Sequence, residues 1–354
     1  MNRKKLSQQL TILLTIVAGV ALTSLHSAAC TRCVYLGPEG EVIAARSMDW
    51  VEDPGTNLYC FPRGMQRDGA AGPKSISWSS NYGSVVCSFY ECASVDGINE
   101  KGLVANVLYL VESDYGKPDS RRPNLSIALW AQYALDNYAK VAEAVEALRK
   151  EPFVIVAPLL PNGMPAQGHL SLSDPTGDSA IFEYIGGKLV IHHGRQEQVM
   201  TNSPVYDQQL ALNSYWQSIG GTAMLPGTSR AADRFARASF YINVIPKTND
   251  DKQALASVFG VIRNASVPLG ITTPGHPNIA GTIWRTVYDQ KHMILYYDSA
   301  TSPNVFWVPI SEMNFQLGAP VKKLTLVDGK TYHGDAASEF KDSEPFKFLP
   351  ANVN

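Results

Sequence analysis

A boundary before Cys30 governs what the rest of this chain can build. Asn2-Arg3-Lys4-Lys5 is basic, and Leu10 to Leu25 is largely apolar and uncharged. Ser27 and Ala29 are the small residues that a signal peptidase takes at −3 and −1. The apolar run is short for a membrane anchor, and its small-residue end fits cleavage. Residues 1–29 therefore read as a signal peptide. A cut after Ala29 leaves a chain that opens Cys30-Thr31-Arg32-Cys33-Val34-Tyr35. Its first residue then carries a nucleophilic thiol and a basic α-amine together, a pairing suited to amide hydrolysis. Lipid attachment at Cys30 is the competing outcome. Lipoprotein signals carry Leu or another aliphatic three residues before the cysteine, and here that residue is Ser27.

Removing 29 of 354 residues leaves 325, which we read as a single domain over 30–354. A hydrophobic fraction of 45% supports a sizeable core. A formal net charge of −2, with Lys and Arg scattered, gives no footprint for nucleic acid. No second apolar run reaches membrane length, so a mature chain free of the membrane is expected.

The cysteines are Cys30, Cys33, Cys60, Cys87 and Cys92. An odd count leaves at least one thiol without a partner in the chain. With Cys30 free, the other four could form two bridges or be small buried residues; both readings stand. Cys30-Thr31-Arg32-Cys33 also spells the C-x-x-C of redox proteins, which opens a helix in a thioredoxin-like site. Here Val34-Tyr35-Leu36, Gly37 to Gly40 and Val42-Ile43-Ala44 spell strand, turn, strand. A Cys30–Cys33 bridge would also consume the nucleophile.

Strands and hairpins dominate the first hundred residues after Cys30. Ile127, Trp130, Ala134 and Tyr138, continued by Val141, Val145 and Leu148, keep a helical phase. Asp136-Asn137 are weak helix formers, so one long helix or two with a break there are both open. His169 to Ser173 alternates as a half-buried strand, and Ala180 to His192 reads as a hairpin about Gly186-Gly187. Asp233 to Asn243 and Lys252 to Arg263 look helical, and Thr282 to Tyr288 pairs with Met293 to Asp298. This alternation predicts an α+β layered domain. Val267 to Gly281 is a long Gly/Pro-rich loop of the kind that often serves function.

A terminal amine and a cysteine both titrate close to neutrality, and nearby guanidinium groups depress a thiol pKa. Such chemistry predicts Arg and Asp near the amino end, and Arg46-Ser47-Met48-Asp49-Trp50 supplies both. Arg46 and Asp49 follow Cys30 at 16 and 19 residues. Further on stand Asp96-Gly-Ile-Asn-Glu-Lys-Gly-Leu103, Thr201-Asn202-Ser203-Pro204 and Asp233-Arg234-Phe235. In this order and spacing the chain resembles the choloylglycine hydrolases and penicillin V acylases, which are N-terminal nucleophile hydrolases. Asp233 departs from the Ser of the family's S-R-F. The Ser47-Met48-Asp49-Trp50 segment looks like the Gram-negative branch.

The resemblance implies a four-layer αββα sandwich, a periplasmic location, a homotetramer, and amide cleavage through a thioester with no cofactor and no metal. It implies Cys30 as nucleophile with its own amine as base, and Arg46 and Arg234 flanking the thiolate. Asp49 would orient the amine, while the Asn202 side chain and the Tyr109 N–H would bind the oxyanion. Substrates of the family are penicillin V, N-acyl homoserine lactones and conjugated bile salts. Bile-salt enzymes of the Gram-positive branch commonly carry Asn where Tyr109 stands, which favours penicillin V acylase, with bile salt hydrolase as the alternative. Trp50, Tyr82 and Tyr90 are candidates for an apolar acyl pocket and equally for the core. Taken singly, Arg46 and Asp49 fit a surface ion pair and Arg234 a solvated helix position. The histidines show no metal spacing, and His192-His193 alternate across a strand.

Overall fold

The computed structural model describes residues 29–117, 121–271 and 280–351. The leader expected over residues 1–29 lies outside them except for Ala29. Two large sheets carry the chain. One contains β1 (Thr31–Leu36), β2 (Val42–Trp50), β14 (Val199–Met200), β15 (Gly281–Asp289), β16 (Ile294–Ser299), β17 (Val305–Pro309) and β19 (Gly334–Asp335). The other contains β3 (Leu58–Phe61), β6 (Ser84–Phe89), β7 (Ala93–Asn99), β8 (Val104–Leu108), β11 (His169–Ser173), β12 (Ser179–Ile185), β13 (Lys188–His193), β18 (Lys322–Leu324) and β20 (Lys341–Asp342). Two small ribbons, β4 (Gln66–Asp68) with β5 (Ser77–Ser79) and β9 (Asn124–Ser126) with β10 (Val154–Val156), sit outside them.

The seven-stranded sheet runs β14-β1-β2-β15-β16-β17-β19, and the nine-stranded sheet runs β13-β12-β11-β8-β7-β6-β3-β18-β20. Pairing in both is antiparallel except between β17 and β19. Helices α1 (Trp130–Asn137) and α2 (Val141–Leu148) pack on the nine-stranded sheet at β7, β8 and β12. Of α3 (Tyr206–Ile219), α4 (Ala231–Val244) and α5 (Asp251–Asn264), α4 lies on β1 and α5 on β2 and β15. The sheets meet each other through buried polar links, including Arg32 to the Leu172 carbonyl at 3.1 Å and Arg46 to Asp96 at 3.2 Å. The α+β layers expected from the sequence are present.

Local causes are plain. Every residue of β2 is buried, as a strand sandwiched between two layers should be. Gly186 and Gly187 both take positive φ (58° and 75°), the primed turn that joins β12 to β13. The long helical phase resolves into two helices: Tyr138 and Lys140 are extended. Asp174 accepts from the Val141 N–H at 2.8 Å, and Glu143 accepts from the Ala139 N–H at 2.9 Å, so the start of α2 is capped from two directions. All five cysteines are free. Cys33, Cys60 and Cys87 are buried residues of strands, so the bridge alternative does not hold, and Cys30–Cys33 is no redox pair.

Candidate active site

Cys30 lies at the head of β1, beside β2, and β2 distributes its side chains by the two-residue period of a strand. Arg46, Met48 and Trp50 share one face; Ser47 and Asp49 share the other. On the first face Arg46 places Nη2 3.7 Å from the Cys30 sulfur and Nη1 3.2 Å from Asp96 Oδ2. Its guanidinium also stacks 4.6 Å from the Trp284 ring. Asp96, fully buried on β7, accepts further from Asn106 Nδ2 (3.1 Å), Thr286 Oγ1 (3.2 Å) and the Tyr288 hydroxyl. Burial pushes the Cys30 thiol above its ordinary range; Arg46 draws it down, Asp49 opposes that, and Arg234 assists Arg46. Burial drives Cys33 and Cys60 up to about 12; Cys30 has two guanidinium groups, Arg46 and Arg234, to oppose its burial.

On the second face Asp49 stands opposite Thr282 of β15 and accepts from its hydroxyl at 2.6 Å. Its other oxygen is buried with no hydrogen-bond partner among the described residues, 3.9 Å from Arg234. Burial raises Asp49 to about 6, against the opposing pull of Arg234.

Arg234 stands on the other side of Cys30 and favours the thiolate through its charge, with a smaller effect than Arg46. From the first turns of α4 it donates to the Cys30 carbonyl, to Thr31 Oγ1 (2.7 Å) and to Asn202 Oδ1 (2.9 Å). Asn202 Oδ1 also accepts from the Cys30 N–H at 2.5 Å, while Nδ2 donates to the Tyr109 carbonyl at 2.6 Å. The structure is of the chain with Ala29 attached, so this nitrogen is an amide. Ala29 itself is buried against Val267 and Ala280. Cys30, Arg46, Asp49, Tyr109, Asn202 and Arg234, scattered over 204 residues, thus converge on one point.

Beside the sulfur opens a cavity of about 70 Å³, lined by Cys30, Met48, Trp50, Phe89, Tyr109 and Leu160 among others. Trp50 packs edge-on against Phe89 and Tyr109 at 5.3 and 5.6 Å between centroids. Its indole N–H donates to Tyr90 Oη at 2.9 Å, so Tyr90 braces the wall from behind. Tyr82 takes no part. It precedes β6 at the end remote from Phe89, and at about 3.3 Å per residue a strand of that length carries it out of reach. Its N–H is held by the Asp136 carbonyl at 3.2 Å. A second cavity, about 620 Å³, shares Trp50 but does not include Cys30.

The sequence did not single out Asp96, Phe89 or Leu160. Asp96 stood within its motif without a role. The rest of that motif is structural: Asn99 Oδ1 accepts from the Lys101 and Leu103 N–H groups, and Gly102 takes the φ of +84° that closes the turn.

Residues 30–323 match the family described as linear amide C–N hydrolases, choloylglycine hydrolase family. The chain belongs to this family. It is 49% identical to a penicillin V acylase of Pectobacterium atrosepticum over 98% of both chains. It is 24% identical to a conjugated bile acid hydrolase of Lactobacillus gasseri over 68% of this chain and 83% of that one. Among solved structures, a penicillin V acylase from Agrobacterium tumefaciens matches with TM-score 0.86 and 58% identity, covering 91% of this chain and 100% of that one. A conjugated bile acid hydrolase variant from Clostridium perfringens shares the fold, with TM-score 0.73, 21% identity and coverage of 86% and 98%. This choloylglycine hydrolase family member is accordingly a hydrolase of linear amide C–N bonds.

Proposed function

We propose that the chain is exported, cut before Cys30, and works in the periplasm as a penicillin V acylase. The observation that carries the substrate class is the small aromatic-walled cavity on the Cys30 sulfur. Trp50, Phe89 and Tyr109 give that wall the flat apolar faces against which an aryl ring packs. The likeness to two penicillin V acylases at 49% and 58% identity supports the same choice.

Removal of Ala29 turns the Cys30 nitrogen into an α-amine beside Asn202 Oδ1. The orphaned buried oxygen of Asp49 is the acceptor such an amine needs. The thiol proton passes to the amine, and the thiolate, held by Arg46, attacks the acyl carbon. The carbonyl π pair moves to oxygen, where the second Asn202 Nδ2 hydrogen and the Tyr109 N–H receive it. Collapse breaks the C–N bond, the ammonium gives its proton to the departing nitrogen, and a thioester remains. Water, deprotonated by the same amine, then releases the acid and restores the thiol. A homotetramer is part of the proposal on family resemblance alone.

The test uses secreted protein with its N-terminus fixed by mass spectrometry. Penicillin V, glycocholate, taurocholate and a long-chain acyl homoserine lactone are offered at equal concentration, beside a Cys30→Ser control. Fastest acid release from penicillin V is expected. Preference for the bile conjugates would overturn the substrate assignment.

A further inference from the structure

The segment Thr201–Tyr206 that delivers Asn202 is not free to choose its place. Thr201 Oγ1 donates to the Ala231 carbonyl at 3.0 Å, and Gln209 Nε2 donates to the Asn202 carbonyl at 3.0 Å. A further anchor is a buried histidine outside the catalytic set. His169, 1% exposed at the start of β11, places Nε2 2.8 Å from the Thr201 carbonyl and Nδ1 2.8 Å from Glu183 Oε1. It pairs across the sheet with Leu108, the neighbour of Tyr109.

The Thr201 carbonyl fixes the direction of one of these two bonds. A carbonyl can only accept, and a neutral imidazole donates from one nitrogen. Glu183 is in turn engaged as an acceptor: its two oxygens take the Tyr206 N–H at 3.2 and 3.1 Å, at the start of α3, where a helix favours negative charge. Nε2 therefore donates to the Thr201 carbonyl, while Nδ1 and Glu183 Oε1 share a proton between them, so the ring is held at both nitrogens. Other charged groups stand around this pair. His192 of β13 lies 4.0 Å from Glu183 and 3.8 Å from Asp207 of α3, Tyr206 donates to Glu197, and Arg234 of α4 holds Asn202. None of these reaches the Thr201 carbonyl.

We infer that His169, braced by Glu183, is the positioning residue that fixes Asn202 against Tyr109 for oxyanion binding. The role rests on the assignment of Asn202 as an oxyanion donor. His169 touches neither substrate nor sulfur; it acts through the peptide before Asn202.

Three variants of the processed enzyme test this on penicillin V: His169→Phe, Asn202→Ala and the pair combined. A misplacement near 1 Å costs about 10²-fold, so His169→Phe should lower kcat by that order with KM within about twofold. Alkylation of the Cys30 thiol should stay near the parent rate, because Arg46 and Asp96 are untouched. The double variant should be no slower than Asn202→Ala. A kcat within threefold of the parent for His169→Phe, beside a large loss in Asn202→Ala, would overturn the inference. Parent-like turnover in Asn202→Ala would overturn the oxyanion reading, and this inference with it. Nitrogen-15 spectra of the Cys30→Ser protein at pH 7 give a check that survives a variant that does not fold. His169 Nε2 should carry a proton, and a bare Nε2 in the parent would refute the bond to the Thr201 carbonyl.

Discussion

Arg46→Met removes the guanidinium while keeping an unbranched apolar stem among Met48 and Trp284. At 3.7 Å and an effective dielectric near 20, Arg46 favours the Cys30 thiolate by about 4 kcal/mol. Asp96, 3.2 Å from the same guanidinium, opposes part of that, leaving a rise of about one to two pKa units in the thiol. The assay is the pH dependence of iodoacetamide alkylation, read on the Cys30 peptide by mass spectrometry because Cys92 is partly exposed. A more basic thiolate is intrinsically more nucleophilic, with a Brønsted slope of about 0.4–0.5. At neutral pH the rate should therefore fall only about 3- to 15-fold, while the midpoint moves by the full one to two units. The same substitution strands the buried Asp96 and should cost about 3–5 kcal/mol of stability. Arg46→Met with Asp96→Asn should recover most of that stability and leave the thiol midpoint high. An unshifted alkylation midpoint in folded Arg46→Met would refute the role of Arg46 at the sulfur.

Asp49 carries a second prediction. Its folded value, about 6, lies above the ordinary carboxylate value of 3.8 because it is buried. The neutral form is favoured in the fold, so its contribution to stability is complete below about pH 4 and fades as pH rises through 6. Urea midpoints of Cys30→Ser, with and without Asp49→Asn, should accordingly diverge in favour of Asn between pH 4 and 7. Catalysis needs Asp49 ionised, so the acid limb that Asp49 sets on kcat/KM should lie no higher than about pH 6; a limb nearer neutrality belongs to the α-amine and should persist in Asp49→Asn. Trp50→Ala should raise KM for penicillin V and destabilise by about 3–5 kcal/mol, since it deletes two edge-on ring contacts and the bond to Tyr90. An unchanged KM would remove Trp50 from the acyl wall. Dithiothreitol should leave Tm unchanged because the cysteines are free; a fall in Tm would reveal a bridge.

The reactive residues were legible because thiol chemistry demands particular partners, and Arg46 and Asp49 lie on the strand next to Cys30. Their division of labour was not. Arg234 proved to bind the Cys30 carbonyl, which depends on where α4 docks over β1 and on nothing in its local sequence. Helix α3 escaped notice because its buried residues, Tyr206, Gln209 and Asn213, are polar or half-polar and leave no apolar stripe. Tyr82 and Phe89 looked alike as aromatics in strand-rich sequence, and only their places at opposite ends of β6 separate them. The His169–Glu183 pair hides in β11 and β12, where each reads as one polar residue in an alternating strand.

The central strand next to β2 is β15, and the Thr282 hydroxyl that steadies Asp49 lies 233 residues further along the chain. All six proposed catalytic residues precede position 235, yet no fragment ending there can hold them. Thr286 and Tyr288, which lock Asp96 behind Arg46, arrive on the same late strand. Closing a loop of that size is a slow, non-local step in folding. A nascent or truncated chain is therefore chemically silent until β15 has paired with β2, so this enzyme is made whole or not at all.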